Sequence, residues 1–209
     1  MAENKPNGTA QKERASRLPP AERRRQLTAC AVQVFARYGL GNAGHAQVAD
    51  EAGVSTPTVF LYLPNRQALI DAALDEVAAF LVAMVESAAA AETAAGAKLL
   101  AVMRAFAATI DTDPDYVKVF LNWSTVVRDD TWPQYIVFQD QILDTLGRII
   151  TDGIATGDLP ATVDPVSGAH LVMGSAHMIA QMKFRGRSHA DIDRFLTGLL
   201  RGALSGPNP

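Results

Sequence analysis

Cysteine is almost missing from this chain. A single thiol, Cys30, in 209 residues cannot form an internal disulfide. That excludes a disulfide-stapled secreted scaffold and fits a reducing, cytoplasmic setting. Cys30 falls in the amphipathic stretch 27–38 and reads as a packing residue rather than a redox sensor. Long apolar runs are missing too. The run from Val77 to Val85 stops at Glu86, well short of the roughly 20 residues a membrane helix needs. The N-terminus is polar and carries no apolar signal core, so a cytoplasmic location and no membrane partner are expected. Alternation of β-branched residues is scarce and alanine abundant, which points to an all-α fold. An apolar content of 48% with 20% charged residues is that of a globular protein. At this length the chain forms one or two domains and can bury a sizeable core.

Enzyme signatures are absent as well. There is no P-loop, nucleophile elbow or HExxH. The paired carboxylates, Asp129-Asp130 and Asp191 with Asp193, fall at loops or helix starts. The run Gly39-Leu40-Gly41-Asn42-Ala43-Gly44 is formally a G-x-G-x-x-G. A dinucleotide fingerprint, however, needs a strand before it and a βαβ unit around it, whereas an amphipathic helix precedes this one. No catalytic residue and no cofactor are expected. His170 and His177 lie seven apart, but no further ligands stand at metal-binding spacing, so no metal site is expected either.

Positive charge, in short supply overall, is concentrated in one place. Residues 1–70 hold nine Lys/Arg against five Asp/Glu, and residues 71–209 hold ten against seventeen. The basic third of an acidic protein contains Val48-Ala49-Asp50-Glu51-Ala52-Gly53-Val54-Ser55-Thr56-Pro57-Thr58-Val59-Phe60-Leu61-Tyr62-Leu63. Its spacing predicts two short helices joined by a tight turn. Gly53 permits the positive φ at which the first helix stops. Ser55 suits an N-cap, and Pro57 suits a first turn. The second helix is expected to bury Val59, Phe60 and Leu63. Its other face offers Ser55, Thr58, Leu61 and Tyr62, short hydroxyls and one phenol that suit phosphate oxygens and base edges in a major groove, and Thr56 is expected, with Thr58, to set sequence preference. A helix hairpin in an ordinary all-α protein fits the turn equally well; the charge partition favours DNA.

The rest of the chain can be placed around this unit. Residues 1–16 read as a disordered polar arm. Arg14 and Arg17 are either solvated cations or groups reaching an adjacent minor groove. Pro19-Pro20 opens the first helix, whose stripe is Leu27, Ala31, Val34, Phe35 and Tyr38. Arg23, Arg24 and Arg25 oppose the dipole at its start, which suits backbone phosphates better than helix stability. His45 stands at a helix N-terminus able to meet a phosphate. Asn65 can cap the next helix, and Arg66 sits at its start. That helix, from about 66 to 91, links the basic unit to the remainder.

Helices follow over about 94–110, 114–123 and 132–156, the last opened by Thr131 as cap and Pro133. Phe80, Met84, Met103, Phe106, Phe120, Trp123, Tyr135 and Phe138 recur on successive helices. They form either plain core or an apolar cavity for a small apolar or amphipathic ligand, with Gln139, Asn122 and the Trp123 indole as polar orienters. The last two helices, about 164–185 and 189–204, carry His170, Met173 and His177 on one and Phe195, Leu196, Leu199 and Leu200 on the other. Two amphipathic helices at a C-terminus can form a four-helix homodimer interface. The expected organisation is an arm over 1–16, a DNA-binding domain over 17–65 and a regulatory and dimerisation domain over 66–209.

The run Val34-Phe35-Ala36-Arg37-Tyr38-Gly39, the turn, and Val59 through Arg66 resemble the DNA-binding domain of TetR-type transcriptional regulators. More narrowly, Gly41 through Ala46, Thr58-Val59-Phe60, Trp123-Ser124 and Arg128-Asp129-Asp130-Thr131-Trp132-Pro133 resemble the quorum-sensing regulators of the LuxR/HapR/SmcR group. The resemblance implies a homodimer on a near-palindromic operator in double-stranded DNA, an N-terminal arm that contacts DNA, and a pocket in the second domain. A ligand-responsive repressor of a local metabolic or efflux operon is the alternative within the same family. The group commonly has a polar residue where this chain has Leu61, and Phe where it has Leu63, so a different base preference is expected.

Overall fold

The computed structural model describes residues 18–126 and 130–204; Arg14 and Arg17, like Arg128 and Asp129, lie outside the described residues. Among the described residues the chain forms nine helices. The first three are α1 (Pro20–Tyr38), α2 (His45–Ala52) and α3 (Thr56–Tyr62). The remainder are α4 (Arg66–Ala90), α5 (Ala95–Thr112), α6 (Pro114–Trp123), α7 (Trp132–Thr156), α8 (Pro165–Phe184) and α9 (His189–Leu204).

Each boundary has a local cause. Pro20 occupies the first position of α1, where its missing N–H costs nothing. The helix buries Leu27, Ala31, Val34 and Phe35 at spacings of three and four. Tyr38, expected on that stripe, is exposed because the helix is already ending at Gly39, whose φ is 78°. Gly53 closes α2 in the left-handed region, at φ 64° and ψ 32°. The Gly53 N–H donates to the Asp50 carbonyl at 3.2 Å and the Val54 N–H to that of Ala49 at 2.9 Å. Asn65 caps α4, its Oδ1 accepting from the Ala68 N–H at 2.8 Å. Asp164 does the same for α8, and its hydrogen bonds to Ser167 hold its carboxyl below the usual range. Gly157, at φ 82°, ends α7.

Two expected caps work differently. The Ser55 hydroxyl does not bond to the start of α3 but lies 2.8 Å from Thr58 Oγ1. Thr131 makes no side-chain cap: its backbone is already helical, at φ −83° and ψ −9°, and its buried hydroxyl has no protein partner.

α1 packs on α2, α4 and α6, and α2 on α3. The 25 residues of α4 span roughly 37 Å at 1.5 Å per residue. They run from the α1–α3 unit into contact with α5, α6 and α7. The remaining body stacks α5 on α7, α8 and α9, with α7 on α8 and α8 on α9. One continuous apolar core runs from Leu27 to Leu200. Two hydrogen bonds fasten α4 to the body: Tyr116 Oη to Glu76 at 3.2 Å and Gln134 Nε2 to Asp75 at 2.6 Å. Burial and the nearby Glu76 push the Tyr116 phenol up to about 12, so it stays a donor.

Candidate nucleic-acid interface

α3 is short and sits on the outside of the α1–α3 unit. Val59 and Leu63 point inward and are fully buried, one turn apart. Phe60 does not join them. It is 45% exposed, and Leu61 beside it is 78% exposed. Phe60 rests instead on His45, whose ring stacks against it. The expected burial of Phe60 is therefore corrected: the imidazole supplies a platform at the surface, and the compact Val59 fills the interior position. His45 is itself buried, with Nε2 donating to the Leu63 carbonyl at 2.7 Å. Its edge thus faces the end of α3 rather than solvent.

The other residues expected at this interface divide in two. Leu61 is the most exposed, and Ser55 is exposed with its hydroxyl shared with Thr58. Thr56, Thr58 and Tyr62 are half-buried, and Tyr62 packs on the core. Arg23 turns inward, is nearly covered, and donates to Gln26 at 2.6 Å. Arg66 donates to the carbonyls of Leu40 and Gly41, at 2.5 and 2.8 Å, bracing the glycine-rich loop against α4. Asn65 is occupied as the α4 cap. Arg24 stays exposed and donates to the Tyr62 carbonyl at 2.8 Å, pinning α1 to the end of α3. Arg25 is exposed. Arg37 pairs with Glu51 at 3.0 Å. The surface beside α3 therefore keeps the Arg24 cation, while Arg23, His45, Asn65 and Arg66, expected to face DNA, make hydrogen bonds within the chain.

In the body, an apolar cavity of about 60 Å³ lies between α4, α5, α6, α7 and α8. Met84, Met103, Phe106, Phe120 and Phe138 line it as expected, and so does Met173. Ser175 is its polar wall residue, donating to the Val172 carbonyl at 2.6 Å. Phe80, Trp123, Tyr135 and Gln139 are not in the wall. Phe80 packs on Tyr116. The Trp123 indole donates to the Thr131 carbonyl at 3.0 Å and closes the α6–α7 connection. Tyr135 stacks on Trp132, burial raises its phenol pKa, and Gln139 is half-buried. Asn122 bonds to the Lys118 carbonyl, so none of the three expected polar orienters faces the cavity. The sequence carried no signal for Ser175, which sits among apolar neighbours without a motif.

The two last helices also differ from the expected face. His170 is exposed. Met173 points into the cavity, and His177 bonds to Ser124 at 2.8 Å. Leu196 and Leu200 are buried within this chain, and Phe195 and Leu199 are partly buried. The large apolar side chains that α8 leaves open are Val166, Leu171, Met178 and Phe184, with Gly174 exposed between Leu171 and Met178. Among the described residues, no group of three or more His, Cys, Asp or Glu side chains is placed to hold a metal ion.

A glycine-turned helix pair held on a long helix, with a separate helical body behind it, is the build of a helix-turn-helix DNA-binding regulator. The model of the tetR family of bacterial regulatory proteins matches residues 27–73. The HTH-type transcriptional regulator LuxR of Vibrio harveyi is 28% identical over 185 residues, which are 88% of this chain and 90% of that one. The crystal structure of the transcriptional regulator FadR from Bacillus subtilis in complex with stearoyl-CoA is similar at a TM-score of 0.72 and 20% identity. That match covers 88% of this chain and 99% of FadR. The structure of AibR in complex with isovaleryl coenzyme A and operator DNA is similar at a TM-score of 0.70 and 16% identity, over 88% of this chain and all of AibR. The family match thus falls on α1 to α4, the helix-turn-helix unit and the start of the long helix, and the likeness to LuxR extends over the helical body behind it.

Proposed function

We propose that this protein is a sequence-specific transcriptional regulator, not an enzyme, that binds a near-palindromic operator as a homodimer. The observation that carries this reading is the exposed face of α3, one turn after the left-handed Gly53, in the basic third of an acidic chain. The DNA-binding part is residues 17–65, and residues 66–209 dimerise and hold the ligand pocket. Two copies joined through α8 and α9 would present two α3 helices to successive major grooves. Val166, Leu171 and Met178 are apolar groups that such a contact would cover, and Gly174 would let two helices approach closely.

The cavity is the candidate effector site. AibR, of the same fold, is complexed with both an acyl-coenzyme A and operator DNA. Here the cavity is far smaller than the ~300 Å³ and upward of an occupied ligand pocket. A ligand therefore has to displace wall side chains, and Met84, Met103 and Met173 are the unbranched ones best able to move. Cavity opening would shift α4 against α6 and α7, and α4 carries the α1–α3 unit.

The test is duplex binding as salt is varied, followed by the affinity of the enriched duplex with and without an apolar effector such as a long-chain acyl-coenzyme A. Selection of a near-palindrome supports the reading. Binding that never rises above that of random duplex removes it, and equal affinity with and without effector removes the regulatory part.

A further inference from the structure

We infer that α3 reads its operator chiefly through thymine 5-methyl groups, by an apolar ridge formed by Pro57, Phe60 and Leu61. The inference rests on the reading of the chain as a DNA-binding regulator. It follows first from what α3 contains. Thr56-Pro57-Thr58-Val59-Phe60-Leu61-Tyr62 has no Arg, Lys, Asn, Gln, Asp or Glu. Those are the side chains that discriminate guanine, adenine and cytosine through paired or directed hydrogen bonds in the major groove. The polar groups at its two ends are engaged elsewhere. Ser55 and Thr58 share a hydrogen bond, Asn65 caps α4, and Arg66 holds the carbonyls of Leu40 and Gly41.

Beside the half-buried Thr56 and Tyr62, what remains on the outer face is apolar. Positions 57, 60 and 61 fall at i, i+3 and i+4 within α3, the spacing of a single helical stripe, and all three are exposed. Leu61, 78% exposed, gains nothing by burial in this chain, since Val59 and Leu63 already fill the interior side of the helix. The ridge is also pre-organised. Phe60 is held flat on His45, and His45 is fixed by the Leu63 carbonyl, so the ring loses little freedom on contact. In the major groove the apolar feature of a base pair is the thymine methyl. Charge argues for the same occupant, because exposed Arg24, held at the Tyr62 carbonyl, stands beside the face and suits a polyanion better than an apolar protein surface.

The half-site should therefore be rich in thymines, with discrimination between thymine and uracil as its signature. The experiment uses the full chain and the most enriched duplex from a random-sequence pool. Each thymine in that duplex is replaced by deoxyuridine, which removes the methyl and preserves base pairing. Binding should weaken about fourfold for each methyl contacted, the loss of one buried methyl. Leu61→Ala should bind the thymine and uracil duplexes with nearly the same affinity; because Leu61 is so exposed, this variant keeps the fold. Wild-type protein that binds both duplexes equally, or Leu61→Ala that keeps the full difference, would overturn the inference while leaving the regulator reading intact. Failure to enrich any duplex would remove both. A protein mass in solution without DNA that falls on Leu61→Ala would assign the ridge to contact between copies, and would also overturn it.

Discussion

The imidazole of His45 lies flat on the ring of Phe60, with centroids 3.9 Å apart and 6° between the planes. The same imidazole holds the Leu63 carbonyl at 2.7 Å, so one side chain on α2 fixes both the middle and the end of α3. Removing it leaves a buried backbone acceptor unpaired. His45→Ala is expected to cost about 1–3 kcal/mol in urea unfolding. Leu61→Ala, one residue beyond Phe60 and mostly in solvent, should stay within about 0.5 kcal/mol of wild type. Equal losses for the two variants would show that the stack and its hydrogen bond contribute nothing to the unit.

His177 gives a prediction in pH. Its Nε2 lies 2.8 Å from Ser124 Oγ, its ring is 5.4 Å from that of Phe120, and burial lowers its pKa below 6.5. The folded chain therefore takes up this proton at lower pH than the unfolded chain. The stability it contributes is complete above pH 6.5 and is lost as pH falls from there towards the lower folded value. Melting temperature should accordingly fall over that window. His177→Gln cannot titrate and should flatten this part of the profile. An unchanged slope in the variant would assign the pH dependence to other groups.

Several helix boundaries were readable from single residues. Pro20, Gly53 and Asn65 each impose a backbone geometry or supply a cap that needs no tertiary context. Phe60 was not readable. In a helix of two turns, Val59, Phe60 and Leu63 all satisfy an apolar face, and only the His45 platform decides which of the adjacent pair turns out. α8 failed for a related reason. It is apolar nearly all round, so spacing does not separate Met173, which lines the cavity, from Leu171 and Met178, which are exposed. The aromatic set was recognisable as a set, but which members face the cavity depends on hydrogen bonds such as that from Trp123 to Thr131.

Two glycines of α7 should respond oppositely to the same substitution. A Cβ at Gly153 would run into the Ala95 methyl and lie 3.1 Å from Leu159, where α7 crosses the start of α5. The Ala95 methyl is short and rigid, so it cannot swing away. Gly153→Ala should therefore destabilise the fold by about 1–3 kcal/mol. At Gly147 nothing stands within 4 Å, and the helical backbone suits alanine. Gly147→Ala should stabilise by about 0.4–1 kcal/mol through the unfolded chain's lost freedom. Chemical denaturation of both variants tests the pair, and a shift of the same sign in each would contradict the packing described between α7 and α5.

The arginines of α1 can be separated by their salt dependence. Arg23 is nearly covered and bonded to Gln26, whereas Arg25 is exposed on the same helix turn. A cation that neutralises a phosphate releases counterions, so its loss lowers the slope of log affinity against log salt by about 1. Arg25→Ala is expected to show that reduction with little change in stability. Arg23→Ala should instead lower stability by about 1 kcal/mol or more, through lost packing and the lost bond to Gln26, and leave the salt slope close to that of wild type. Affinity measured at four or five salt concentrations, beside urea unfolding of each variant, distinguishes the two roles. A full slope for Arg25→Ala, or a reduced slope for Arg23→Ala, would reverse the assignment of which arginine meets DNA.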